Sequence, residues 1–137
     1  MYKVLVEKNV DLPRKKLFDA LMSFGGLEKL LPDMIASCEV TGSGIGASRD
    51  IKMKDGGRVV ERLDVAHDDT VFGYSITYND ALPFENYCAV VTLEDAGNST
   101  VARWGSNWNA KGATDDEVKE ALTGLYSTLL DGMQKAG

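Results

Sequence analysis

The sequence is poor in the residues that most often announce chemistry. In 137 residues it has one histidine, His67, two cysteines, Cys38 and Cys88, and three prolines. A lone histidine cannot build a zinc site without three further ligands, and neither cysteine has a Cys or His neighbour. The cysteines lie far apart inside strand-like segments, so they are expected as buried thiols rather than a disulfide. No apolar run approaches the ~18 residues of a membrane span. The start, Met1-Tyr2-Lys3-Val4, lacks a signal peptide's charged region followed by an apolar stretch, and a cytoplasmic location is the expectation. No basic cluster exceeds Arg14-Lys15-Lys16 and the net charge is −6, which argues against nucleic acid or a membrane surface as partner. No metal or cofactor is expected, and the chain is expected as a monomer or weak homodimer.

What is present is periodicity. The length suggests one domain over 1–137, and 44% hydrophobic with 26% charged residues is a globular balance. From Thr114 to about Met133, Val118, Ala121, Leu122, Leu125, Tyr126, Leu129, Leu130 and Met133 recur at steps of three and four. That spacing predicts a long amphipathic helix. Thr114 with Glu117 three residues on forms a capping box, and Asp115 and Asp116 suit the positive end of the helix dipole. Gly132 is expected to let the last turn fray. Such a stripe needs a broad apolar partner.

The upstream chain supplies one. Residues 2–10 alternate as a strand; Leu17, Phe18, Leu21 and Met22 mark a helix ended by Phe24-Gly25-Gly26; a short second helix, 27–31, stops before Pro32. The period then becomes two, with strands predicted at about 35–42, 46–54, 58–67, 70–79, 86–94 and 99–110. The turn signals between them are short, which implies antiparallel neighbours in a meander. The class is therefore α+β. One face of each strand is bulky: Ala47, Arg49, Ile51 and Met53; Val59, Glu61, Leu63 and Val65; Phe72, Tyr74, Ile76 and Tyr78; Ala102, Trp104, Ser106 and Trp108. Segment 86–94 is apolar on both faces, with Tyr87, Ala89, Val91 and Leu93 against Cys88 and Val90.

This order resembles the SRPBCC superfamily, also called START-like or birch-pollen-allergen-like, and within it the polyketide cyclase/dehydrase-type proteins. The matching stretches are Phe24-Gly25-Gly26-Leu27 with Leu31-Pro32, Gly46-Ala47-Ser48-Arg49, Asp55-Gly56-Gly57 before Val60-Glu61-Arg62-Leu63, Tyr74-Ser75-Ile76, Leu82-Pro83-Phe84 before Tyr87, and Thr100 before Trp104. The resemblance implies a helix-grip fold: a seven-stranded curved antiparallel sheet wrapped around the long C-terminal helix, with two short helices after the first strand and an internal cavity. Leu30 stands where family members often carry Trp, so that end of the cavity is expected to be shaped differently. Fold alone does not imply a reaction.

Arg49 and Glu61 are the most informative polar residues, because a charge on an apolar face is costly unless paired. They read either as a buried ion pair fixing strand register or as a ligand anchor, with Arg49 as donor to a carboxylate or hydroxyl. Glu61 as a general base is a third reading, but no second acid or nucleophile stands beside it. Of Trp104 and Trp108, one is expected in the core and the other in the cavity wall. Tyr74, Tyr87 and Tyr126 add hydroxyls, and Leu122, Leu125, Tyr126 and Leu129 are the expected helix wall. Gly42-Ser43-Gly44-Ile45-Gly46 lacks the Lys-Ser/Thr and helix of a phosphate loop and reads as a hairpin at the cavity mouth. Asn79 to Pro83 reads as a cover over the opening. Three functions remain open: binding of a small hydrophobic or aromatic molecule, a cyclase/dehydratase-type enzyme, or an interaction module with a filled core. Cavity volume separates the third from the first two: a pocket below the usual ~300 Å³ is expected to sink both ligand readings.

Overall fold

A computed structural model describes residues 1–137. Seven strands, β1 (Val4–Val10), β2 (Ile35–Thr41), β3 (Ser48–Met53), β4 (Arg58–His67), β5 (Val71–Asn79), β6 (Phe84–Ala96) and β7 (Ser99–Ala110), form one antiparallel sheet. Its order is β1-β7-β6-β5-β4-β3-β2, a meander closed by the first strand pairing with the last. Helices α1 (Arg14–Ser23) and α2 (Leu27–Leu30) follow β1, and α3 (Asp115–Ala136) ends the chain. This is the helix-grip arrangement, with the curved sheet folded around α3.

Helix α3 begins as its sequence requires. Thr114 Oγ1 accepts from the Glu117 N–H at 3.2 Å, and Glu117 Oε1 accepts from the Thr114 N–H at 2.9 Å. Its 22 residues span about 33 Å at 1.5 Å each. Val118, Leu122, Tyr126, Leu129, Leu130 and Met133 are buried on one face. The helix does not fray at Gly132 but continues to Ala136. The absent side chain there serves packing instead: a Cβ on Gly132 would lie 2.7 Å from Leu30 Cδ2. Leu30 thus packs against the helix end rather than lining the cavity.

Helix α1 ends unusually. The left-handed residue that caps it is Phe24, at φ 61°, while the left-handed Gly26 precedes α2 instead. Its buried ring holds it there, edge-on to Phe72 with centroids 6.0 Å apart.

The inward faces agree with the alternation except at two bulges. One lies between Leu63 and Val65, the other in the pairing of Val60 and Glu61 with Tyr78 and Ile76. Each extra residue reverses the side-chain direction beyond it. Val65 and Tyr78, both expected inside, are therefore exposed. Segment β6 resolves to Tyr87, Ala89, Val91 and Leu93 inward. Cys88 is consequently exposed and Cys38 only half-buried, so neither is the fully buried thiol expected from its strand. No helix is long and apolar enough to cross a membrane.

Candidate functional site

Between the sheet and the first half of α3 lies a cavity of about 140 Å³. Strands β3 and β4 contribute Arg49, Ile51, Met53, Val59 and Glu61 to its lining, and β5 and β6 contribute Tyr74, Ile76, Phe84 and Tyr87. Helix α3 supplies Val118, Ala121, Leu122, Leu125 and Leu129. Leu82 and Pro83, from the loop expected to cover the opening, form part of the rim. Met34 and Ala121, both exposed, mark where the rim meets solvent. Of the 20 lining residues 17 are hydrophobic, so polar recognition is confined to one corner.

That corner starts from strand register. Arg49 and Glu61 are direct partners in the β3–β4 ladder, which puts both side chains on the inward face. Arg49 Nε and Nη2 each stand 2.6 Å from Glu61 Oε1. Nη1 reaches the Phe24 carbonyl at 3.4 Å, and the guanidinium lies 4.0 Å from the Phe24 ring centroid and 5.1 Å from that of Tyr74. Both side chains are buried. The left-handed turn at Phe24 therefore turns both its carbonyl and its ring to the arginine, a role that no spacing or motif assigns to a phenylalanine.

Beside the pair run three tyrosine hydroxyls. Tyr74 and Tyr87 share a hydrogen bond of 2.9 Å, and Tyr87 shares another with Tyr126. Burial pushes all three phenols up, Tyr126 to about 12 and Tyr74 and Tyr87 well above the ordinary tyrosine range. All three are neutral at physiological pH.

Seven of the ten residues expected at the site therefore line the cavity: Arg49, Glu61, Tyr74, Tyr87, Leu122, Leu125 and Leu129. Tyr126, Trp104 and Trp108 stand behind the lining. Trp104 stacks on Tyr126, with centroids 4.8 Å apart and planes 8° from parallel. Trp108 packs near Phe84 at 6.5 Å, with Lys3 Nζ 4.9 Å from its ring centroid. Both tryptophans are core: each is almost fully buried, Trp104 beneath Tyr126 of α3 and Trp108 beside Phe84. The glycine-rich hairpin 42–47 contributes nothing to the cavity, which opens at the other end of the strands, where the 31–34 and 79–83 loops lie. Leu27, Leu31 and Met34 also line it; the apolar spacing before Pro32 was the only signal for the first two, and Met34 had none.

One further feature had no sequence signal. The β5–β6 ladder stops at Ser75–Cys88, although β5 runs on to Asn79 and β6 starts at Phe84. The strands splay around a polar slot of about 460 Å³, bordered by Thr77, Asn79, Asp80, Glu85, Asn86 and Lys111. Ile76, Leu82, Phe84 and Tyr87 are the wall between slot and cavity. Asn79 holds the loop shut: its Nδ2 donates to the Leu82 and Phe84 carbonyls, and its Oδ1 accepts from the Ala81 and Leu82 N–H groups, all within 3.1 Å.

No three His, Cys, Asp or Glu side chains converge on a common point. Glu61, the one carboxylate in the cavity, has its Oε1 taken by Arg49.

Comparison with known proteins is consistent with this geometry. The family described as polyketide cyclase / dehydrase and lipid transport matches residues 1–136. Comparison with curated proteins gives no match. Among solved structures, XoxI of Bacillus cereus is 23% identical, with a TM-score of 0.80 over 97% of this chain and 93% of its own. An uncharacterised protein of Bacillus thuringiensis is 24% identical, with a TM-score of 0.78 over 97% and 96%. Ara h 8.0201 is 20% identical, with a TM-score of 0.81 over 96% and 94%. At such identities the likeness establishes the fold alone. The chain belongs to the polyketide cyclase/dehydrase and lipid transport family, within the SRPBCC helix-grip superfamily.

Proposed function

We propose that the protein binds a small, mostly apolar molecule in the cavity between the sheet and the first half of α3. The observation that carries this reading is the lining: apolar almost throughout, open at the 31–34 and 82–83 rim, with its polar atoms gathered at Arg49, Glu61, Tyr74 and Tyr87. A few convergent polar groups in an apolar pocket are what fixes a ligand's orientation. The volume limits the size. About 140 Å³ is less than half of the ~300 Å³ at which drug-sized sites begin, and near the ~150 Å³ that accommodates a benzene ring. An extended polyketide does not fit this conformation. An enzyme reading has less support, since Glu61 is engaged by Arg49 and no second acid or nucleophile stands beside it.

The same small volume favours a second reading, in which the core is essentially filled and the chain acts through its surface. Native mass spectrometry of the protein purified from its own host separates the two. Ligand binding predicts a small-molecule adduct that is lost on denaturation and missing from Leu122→Trp, which fills the cavity from α3. The same adduct on both forms would place the ligand elsewhere. A bare wild-type protein whose cavity resonances do not respond to benzene would leave the filled-core reading standing.

A further inference from the structure

The polar corner is specific about charge. Arg49 and Glu61 are the only charged residues lining the cavity, and they are spent on each other. The third side of the guanidinium is turned to the Phe24 carbonyl, and an aromatic ring covers it at 4.0 Å. The lining therefore presents a net charge of zero. A ligand carboxylate would bring a second anion beside Glu61. A ligand ammonium would bring a second cation beside Arg49. Either would leave water for a site with no free counter-charge, or would break the pair and strand one partner.

The tyrosine chain offers what the ion pair does not. Three hydroxyls carry three hydrogens, but the two bonds Tyr74–Tyr87 and Tyr87–Tyr126 use only two. When the two bonds run in one direction, one hydrogen remains at one end or the other. Next to the Tyr126 end lies Ser106, whose buried Oγ makes no well-formed hydrogen bond yet lies close enough to the Tyr126 hydroxyl to act on it. If the chain points toward Ser106, Tyr74 is left with a lone pair for a ligand hydroxyl. If it points the other way, Tyr74 has a hydrogen for a ligand carbonyl. The two states differ only by rotation of hydroxyls. Because burial holds these phenols neutral, the chain adds no charge.

We propose that the cavity selects an uncharged ligand of about one ring, whose single polar group is a hydroxyl or carbonyl received at the Tyr74 end of the Tyr74–Tyr87–Tyr126 chain, and that it rejects carboxylates and ammonium ions. This rests on the cavity being a ligand site, as proposed above.

The test is a calorimetric and NMR titration of the whole chain with toluene, phenol, acetophenone, benzoate and benzylamine at neutral pH. Phenol and acetophenone should bind several-fold more tightly than toluene, the gain of one hydrogen bond. Benzoate and benzylammonium should bind about tenfold more weakly than toluene or not at all. In Tyr74→Phe the advantage of phenol and acetophenone should vanish while toluene binding remains. Tyr87→Phe, which cuts the chain one step further in, should reduce the same advantage, and it serves should Tyr74→Phe not fold. Benzoate binding as tightly as acetophenone would overturn the charge argument. Toluene binding with no preference for phenol or acetophenone would overturn the hydroxyl chain's role yet leave the cavity as a ligand site. Failure of every probe, toluene included, would overturn both.

Discussion

At the scale of single residues, the buried ion pair is where stability and function meet. Glu61→Gln removes a charge and leaves the Arg49 guanidinium buried without its partner, so it should lose roughly 3–5 kcal/mol in urea unfolding. Arg49→Met should lose a similar amount. The double change Arg49→Met/Glu61→Leu should recover most of it, because apolar side chains of similar volume often replace a buried pair without loss. Single variants that cost under about 1 kcal/mol would mean that the pair is too hydrated to govern the corner. The tyrosines give a second residue-scale expectation, on pH. Tyr126 titrates near 12 when folded against about 10 when unfolded, so its folded pKa is raised. The stability tied to its neutral form is complete below pH ~10 and is lost as pH rises toward 12. A two-unit shift corresponds to on the order of 3 kcal/mol. Unfolding free energies should therefore fall steeply across that window in the wild type and less steeply in Tyr126→Phe. Equal slopes would show that Tyr126 ionises without unfolding the chain. The pair itself was legible in the sequence, because two charges on apolar faces of adjacent strands have few other ways to be satisfied. The tyrosine chain was not, because it joins Tyr126 on α3 to residues 39 and more positions upstream through side-chain directions that no spacing rule specifies.

At the scale of elements, the β5–β6 loop at the cavity's rim is buttressed by the β3–β4 turn, and the two touch through a glycine. A Cβ on Gly57, in the β3–β4 turn, would lie 2.5 Å from Ala81 Cβ and 3.2 Å from Ala81 Cα in the β5–β6 loop. Ala81 cannot yield by rotating a side chain, so Gly57→Ala must displace the loop that carries Leu82 and Pro83. It should cost about 1–3 kcal/mol, a typical penalty for overpacking. Asn79→Ala, which removes four hydrogen bonds from the same loop, should weaken it comparably. Hydrogen exchange of the 79–87 amides checks both: exchange there should accelerate while that of β7 stays unchanged. If the loop is not displaced, Gly57→Ala will melt like the wild type. Most element types and the meander from β2 to β7 were readable from period and turn residues, whereas the pairing of β1 with β7 was not. Val65 and Tyr78 were not placed correctly, because alternation carries through a strand only until a bulge inserts a residue. The splay of β5 from β6 was invisible for a related reason, since continuous strand propensity on both sides says nothing about whether two strands stay paired.

At the scale of the whole molecule, the cavity is a defect in an otherwise continuous core of 30 buried apolar residues, and it carries a stability cost. Its existence followed from resemblance, but its size did not, because volume depends on how α3 settles into the sheet's curvature and on Leu82, Pro83 and Met34 at the rim. A protein that uses such a space should gain stability when the space is filled and lose its ligand in the same step. Ala121 is the place to test this. It lies on the rim, on the exposed side of α3, where a larger side chain can reach the cavity without disturbing the buried face of the helix. Leucine has a helix propensity close to that of alanine, so Ala121→Leu should leave α3 intact. Thermal and urea melts should show a gain of about 0.5–2 kcal/mol. Binding of small neutral aromatics should fall in parallel, with Arg49, Glu61 and the tyrosines all unaltered. A gain in stability with undiminished binding would move the ligand to the polar slot between β5 and β6, where Ala121 has no reach. A loss of stability would mean that the rim closes more tightly than its geometry indicates, and would favour a chain that works through its surface rather than its interior.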